Sequence, residues 1–220
     1  MIVSRIALIF ALLISWRAAV ADQIQFDADI AGLQAEFNVI NAGATTSTDD
    51  QQAKGFERLR AHAEEVSNRY NKRPEPLVWQ AWALCEYAMA VKNFSAMKAY
   101  QEAREKLEHA LELNPKVFNG KPWITLARLY HHLPSWPISY GSKRKAREYY
   151  RKGLNIDPFD CEANYFFAEL LVDDDEDYNE ALRYLGIAAR TQQLKSMELA
   201  YMKPLIDNLM AKIAAKNNAG

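Results

Sequence analysis

The chain has 220 residues, with 28 acidic and 27 basic side chains and a formal net charge of −1. That balance argues against nucleic acid, whose binding needs a concentrated basic face. Two cysteines are too few for a disulfide framework, and the length suits one domain or a short array of repeats.

The opening MIVSRIALIFALLISWRAAVADQ has the three parts of a secretory signal. Arg5 supplies the positive start, residues 6–16 an apolar core, and Ala19 and Ala21 the small residues before a cleavage site. The apolar run is shorter than the roughly 20 residues of a membrane span, and Arg17 interrupts its end. We expect residues 1–21 to be a signal peptide, leaving an exported, periplasmic chain from Asp22 with no membrane span. Losing Arg5 and Arg17 leaves 25 basic residues against 28 acidic, a net of −3.

Strand signals are nearly absent and helical periodicity runs throughout, so the expected class is all-α. Phe26, Ile30, Leu33, Phe37 and Ile40 step by four, three, four and three, which marks one face of a helix. NAGATTSTDD reads as a loop, and residues 51–70 as a second helix ending before NKRPEP. Residues 22–75 therefore form a helical pair.

Three later segments align: AREKLEHALELNPK (103–116), AREYYRKGLNIDPF (146–159) and ALRYLGIAARTQQL (181–194). Each places a small residue, a large one four later and a small one three beyond. These are Ala103/Leu107/Ala110, Ala146/Tyr150/Gly153 and Ala181/Leu185/Ala188. In the first two a proline follows five residues on, at Pro115 and Pro158. Small residues let two helices approach, the large one fills the space between them, and proline stops the second helix. The pattern resembles the second half of a tetratricopeptide repeat (TPR). The first half agrees at Trp123/Ala127/Tyr130, partly at Trp79/Ala83, where Glu86 stands for the usual tyrosine, and at Asn164/Ala168/Leu171 without the aromatics.

The resemblance implies a TPR-like solenoid of antiparallel helix pairs. Its repeats are 76–115, 120–158 and 161–193, followed by a capping helix 194–216, with Pro204 near its start or at a kink, and a tail 217–220. The family period is about 34 residues. The eight extra residues between Ala83 and Ala103 include no proline or glycine and most simply lengthen both helices. The seven extra between Ala127 and Ala146 include Pro134, Pro137 and Gly141, so LPSWPISYGSKRKA is an elaborate turn. Its single glycine and the lack of a preceding strand exclude a Walker loop. Trp136 and Tyr140 are expected to anchor this turn, with partner contact through the same two residues as the alternative. Gly141 is expected to adopt a backbone other residues resist, and Ser142 to cap the next helix. P-x-W-P-x-x-[FY]-G also resembles a motif of exported bacterial repeat proteins.

The basic run Lys143, Arg144, Lys145, Arg147, Arg151, Lys152 is expected to be offset by the acidic turn DDDEDYNE rather than by an anionic partner. Asp173, Asp175 and Asp177 alternate as in a calcium loop, but Tyr178 and Tyr184 stand where glycine and glutamate are needed. His131 and His132, being adjacent, are expected to diverge and hold no metal. Cys85 and Cys161 are expected to stay unpaired: a bridge needs Cα atoms within about 7 Å, and a helical pair separates them. No catalytic constellation, cofactor site or metal site is legible, so the chain is expected not to be an enzyme.

In the family the first helices line a concave groove. The resemblance implies ligand-facing positions at Gln80, Leu84 and Tyr87, then Ile124, Arg128 and His131, then Tyr165, Glu169 and Val172. Arg128 would grip a peptide or small carboxylate, or else pair with Glu169. The lysine and asparagine of carboxylate-clamping relatives are missing there, so that specificity is not implied. The expected function is a scaffold or adaptor for a protein or peptide partner. The alternative resembles the TPR component of periplasmic solute-uptake systems, which binds a small molecule.

Overall fold

The computed structural model describes residues 2–175, 177–196 and 199–217, with the side chains of residues 2–15, 18, 175 and 217 outside the description. The helices are α1 (Ile2–Ala42), α2 (Asp49–Arg69), α3 (Glu75–Val91), α4 (Phe94–Leu113), α5 (Lys121–His132), α6 (Lys143–Ile156), α7 (Cys161–Leu170), α8 (Tyr178–Leu194) and α9 (Met202–Asn217). A 3₁₀ turn, Val117–Gly120, precedes α5, and a π-helical turn, Leu171–Asp175, completes α7. Among the described residues the fold is all-α, built of antiparallel helix pairs followed by a terminal helix. The chain divides into two compact bodies, Met1–Lys106 and Leu107–Gly220.

In the N-terminal body, α1 contributes the stripe expected of it. Phe26 and Leu33 are buried and Ile30, Phe37 and Ile40 half-buried. Phe37 meets Phe56 of α2 and Trp79 of α3, with ring centroids 5.9 and 5.7 Å apart. Arg69 bonds Asp29 at 2.6 Å and Arg73 lies 3.8 Å over the Phe26 ring, tying α2 and the connection after it to α1. Thr48 starts α2 through a reciprocal bond with Gln51, which satisfies two N–H groups the helix cannot. Of the expected signal segment, Met1 and the side chains of 2–15 and 18 lie outside the description. The backbone of α1 continues unbroken past Ala21. The α3–α4 connection is only Lys92 and Asn93, and these helices run 17 and 20 residues against 12 and 14 for α5 and α6. The extra residues between Ala83 and Ala103 do lengthen helices.

In the C-terminal body the small–large–small register lies at the core. Ala146, Tyr150, Ala181, Leu185 and Ala188 are fully buried, with Ala127 and Ala168 opposite. At Gly153 an added Cβ would stand 2.2 Å from Cδ1 of Ile124, so any side chain there would force the Ile124 side chain to move. Tyr150 stacks on Phe167 with centroids 5.6 Å apart. Asn164 departs from the family's aromatic because it does other work. Its amide donates to the carbonyls of Pro158 and Asp160, closing the turn into α7. The terminal helix begins at Met202, later than the expected 194, because Pro204 is tolerated only in a first turn. Cys85 and Cys161 form no disulfide.

A polar network binds the starts of α5 and α7. Lys121 reaches Asp160 at 2.7 Å and Glu162 at 2.6 Å, while the Tyr201 hydroxyl donates to Glu162 at 2.7 Å. Burial alone would raise the Glu162 pKa, but Lys121 and Tyr201 outweigh it and hold the carboxyl below its usual 4.5. A depressed carboxyl contributes stability above its unfolded pKa and loses it as pH falls through the folded one. Wild type should therefore lose stability below pH 4.5, and Glu162→Gln should flatten that loss in urea titrations run from pH 7 down to about pH 3.

The Tyr150 hydroxyl is buried without a hydrogen-bond partner, and burial drives its pKa far upward. Its ring therefore stabilises the core while its oxygen does not. Tyr150→Ala should cost about 3–5 kcal/mol. Tyr150→Phe should be neutral or slightly stabilising, since it removes an unsatisfied polar atom. Urea midpoints of the two variants read this directly.

Candidate functional site

The proline-rich turn between α5 and α6 is ordered by backbone bonds. Ser142 N–H donates to Tyr130 O at 2.7 Å, and Gly141 N–H to Pro134 O at 2.9 Å. Ser135 and Gly141 form an isolated bridge, and the Trp136–Pro137 peptide is cis. An added Cβ at Gly141 would meet Leu133 O at 1.9 Å. Glycine is required there by space, not by the special backbone conformation expected of it. Ser142 caps α6, accepting from Lys145 N–H at 3.4 Å.

Only one of the two expected anchors packs. Tyr140 meets Tyr130 edge-on, centroids 5.2 Å apart. Trp136 is 86% exposed and Ile138 75% exposed. The expectation that Trp136 holds the turn down is therefore corrected. The turn is already closed by main-chain bonds and Tyr140, and its tip directs two large apolar side chains into solvent.

The ligand-facing register divides by burial. In the N-terminal body Gln80 is a core residue, 1% exposed, with its amide donating to Ala63 O. Leu84 and Tyr87 line a recess of about 240 Å³ with Phe56, Arg60, Lys98 and Glu102. In the C-terminal body Ile124, Tyr165 and Val172 are buried in the core, leaving no surface for a ligand. Gln80, Leu84, Ile124, Tyr165 and Val172 are thus buried side chains where groove-facing ones were expected. The register marks which face of each first helix turns inward, and these bodies fill that face with side chains.

What remains is a cluster where α5 and α7 end. Arg128 does not pair with Glu169 as expected; its guanidinium lies 4.0 Å over the Phe166 ring. Glu169 instead accepts from the Tyr165 hydroxyl at 3.4 Å and stands 3.5 Å from His132 Nε2. Burial, then Asp173, raise the Glu169 pKa against the pull of Tyr165 and Arg128. The adjacent histidines do not diverge: their rings stack, centroids 4.4 Å apart and 30° from parallel. Cβ atoms one residue apart leave a helix in different directions, but imidazoles in the last turn can swing back together. Burial lowers both pKa values, with Asp174 and Asp173 opposing it at His131. At His132 the charges of His131 and Arg128 reinforce burial and bring it to about 4. The His132 ring is therefore neutral at pH 7.

Charge compensation follows the expected route at Lys143, while Lys145 and Lys152 find other partners. Lys143 pairs with Asp174, which the π-helical turn carries toward α6. Lys145 lies 4.9 Å over the Tyr130 ring, and Lys152 bonds Glu148 at 2.8 Å. His132, Asp174 and Phe166 were not among the expected site residues. A pair of histidines just before a proline-rich turn was the available signal, and the convergence rests on rotamers that spacing does not encode.

No protein-family model and no curated protein matches the chain. Among solved structures it is similar to a crystal structure of MamA at 18% identity, covering 69% of this chain and 98% of that one with a TM-score of 0.37. A second MamA crystal structure matches at 16% identity, over 75% and 94%, with a TM-score of 0.34. A MamA RS-1 ArsTM double mutant matches at 14%, over 74% and 96%, with a TM-score of 0.37. At these TM-scores the likeness carries no argument.

Exposure decides what the turn residues do for stability. Trp136→Ala should change the unfolding free energy, read from urea titrations, by no more than about 0.5 kcal/mol, as surface substitutions do. Tyr140→Ala should cost more, losing an aromatic pair worth about 0.5–1.5 kcal/mol beyond its buried area. The reverse order would place Trp136 in the core.

Proposed function

We propose that this protein is an exported, periplasmic TPR-like scaffold that binds a protein or peptide partner and performs no chemistry of its own. The observation that carries the reading is the turn tip, where Trp136 and Ile138 stand in solvent on a backbone closed by its own hydrogen bonds. Large exposed apolar side chains on a rigid loop are what protein interfaces use as central contacts. Aromatic residues dominate such contacts, and order in the free state lowers the entropic cost of binding.

The groove reading is narrowed by burial to the edge formed by Arg128, Phe166 and Glu169, beside the turn's own helix. At the expected groove positions the small-solute alternative has less support. The recess beside Leu84 and Tyr87 is about 240 Å³, below the roughly 300–1,000 Å³ of small-molecule sites.

Export rests on Arg5, the apolar core of residues 6–16 and the small residues before Asp22. The packing of α1 supports it: residues 19–25 are exposed, and burial begins at Phe26. Cleavage after Ala21 would therefore remove no buried residue among those nearest the cut. Among the described residues no helix is long and apolar enough to cross a membrane.

A photo-crosslinking side chain at position 138, in cells, tests the reading. The expected result is a discrete adduct in the periplasmic fraction that Trp136→Ala abolishes, with none from the same group at position 190 on α8. Equal adducts from both positions, or a cytosolic adduct, would count against it.

A further inference from the structure

We propose that His131, His132 and Glu169 bind one borderline divalent transition ion, of which zinc is the representative, with Asp174 as the carboxylate behind His131. The donor atoms of the three ligands already lie within 4.8 Å of one another. Around a tetrahedral zinc, with bonds of about 2.1 Å, neighbouring donors stand roughly 3.4 Å apart. His132 Nε2 and Glu169 Oε2 are at 3.5 Å, so one edge of the site needs almost no movement. The others close by side-chain rotation, since His131 and His132 share the last turn of α5 and Glu169 lies near the end of α7.

Unpartnered atoms point the same way. His131 Nδ1, Glu169 Oε2 and Asp174 Oδ2 are buried without a hydrogen-bond partner, and the side chains of His131 and Asp174 are 6% and 7% exposed. Buried polar atoms are ordinarily satisfied, and leaving several in one cluster is costly. A single cation would satisfy the carboxylate and one ring nitrogen together.

The surrounding bonds assign the atoms. Tyr165 occupies Oε1 of Glu169 and leaves Oε2 for the ion. Asp174 Oδ2 lies 3.9 Å from Nε2 of His131, beyond a hydrogen bond, and a small side-chain rotation would let it accept the Nε2–H and leave the Nδ1 lone pair for the ion. A carboxylate behind a ligating histidine orients its ring and raises its basicity. Lys143 pairs with the other oxygen of Asp174 and holds it in place.

Two imidazoles and a carboxylate select the ion. Calcium and magnesium take oxygen donors, and copper(I) favours sulfur, whereas zinc, cobalt and nickel accept this mixture. Three protein ligands leave a fourth position open, on the side where His132 is half-exposed. Water or a donor from a bound partner would occupy it.

The test uses the full chain without a polyhistidine tag, titrated with Co²⁺ and followed by its visible d–d absorption, then displaced by Zn²⁺. One equivalent should bind, zinc should raise the thermal midpoint, and EDTA should reverse both. His132→Ala and Glu169→Gln should each weaken binding by at least about ten-fold. His62→Ala, at the separate His62–Glu36 pair, should leave it unchanged. Circular dichroism guards against unfolding, and Glu169→Gln, which keeps shape and helix, remains decisive even where a histidine variant is unstable. Absence of saturable binding would overturn the proposal. So would binding that survives both His132→Ala and Glu169→Gln, or binding lost in His62→Ala.

Discussion

Helices that must pair side by side need one of them to give way, and here the residues that give way are Ala146, Gly153, Ala181 and Ala188. The contact of Gly153 with Ile124 shows how close the approach is: a single methyl group would overlap the neighbouring side chain by more than an ångström. With the backbones that near, a large residue between the small ones is enclosed on every side. Tyr150 and Leu185 are therefore fully buried rather than sharing a looser interior. The stacking of Tyr150 on Phe167 then sets how α7 lies against α6.

That close pairing has a consequence at the helix ends. Between α5 and α6 the chain takes ten residues to reverse, where the α3–α4 connection uses two. A long connection cannot be stabilised by burial at its tip, so it is closed at its base. Tyr130 accepts the Ser142 N–H through its carbonyl and packs Tyr140 with its ring. One residue inside α5 thus anchors both the backbone and the side-chain layer of the turn. The tip is left without a structural task, which is why its apolar side chains can face a partner.

The same end of α5 concentrates polar groups that the core rejects. His131 and His132 finish the helix, Glu169 finishes α7, and the π-helical turn adds a residue that brings Asp174 back toward Lys143. Desolvation there lowers the pKa of both imidazoles and raises that of Glu169, so the cluster carries less charge than its composition suggests. Three ligand atoms within 4.8 Å of one another, beside buried polar atoms without hydrogen-bond partners, make it a candidate for an ion instead of a plain salt-bridge network.

Much of this was legible in the chain itself. Helical class, the inward stripe from Phe26 to Ile40, the small–large–small register and the cap at Ser142 follow from local rules, because spacing along one helix is enough to define which face is apolar. The partner of Lys143 was legible for a related reason: opposite charges stand at successive turns. Trp136, the histidine pair and the groove register were not. Whether a tryptophan packs or projects depends on whether its loop is closed by other bonds. Whether two imidazoles meet depends on side-chain torsions. Whether a first-helix face is open or filled depends on what lies across from it. Sequence determined the elements and their inward faces through short-range periodicity. Only the tertiary structure decided exposure and convergence, because both are set by residues distant in the chain.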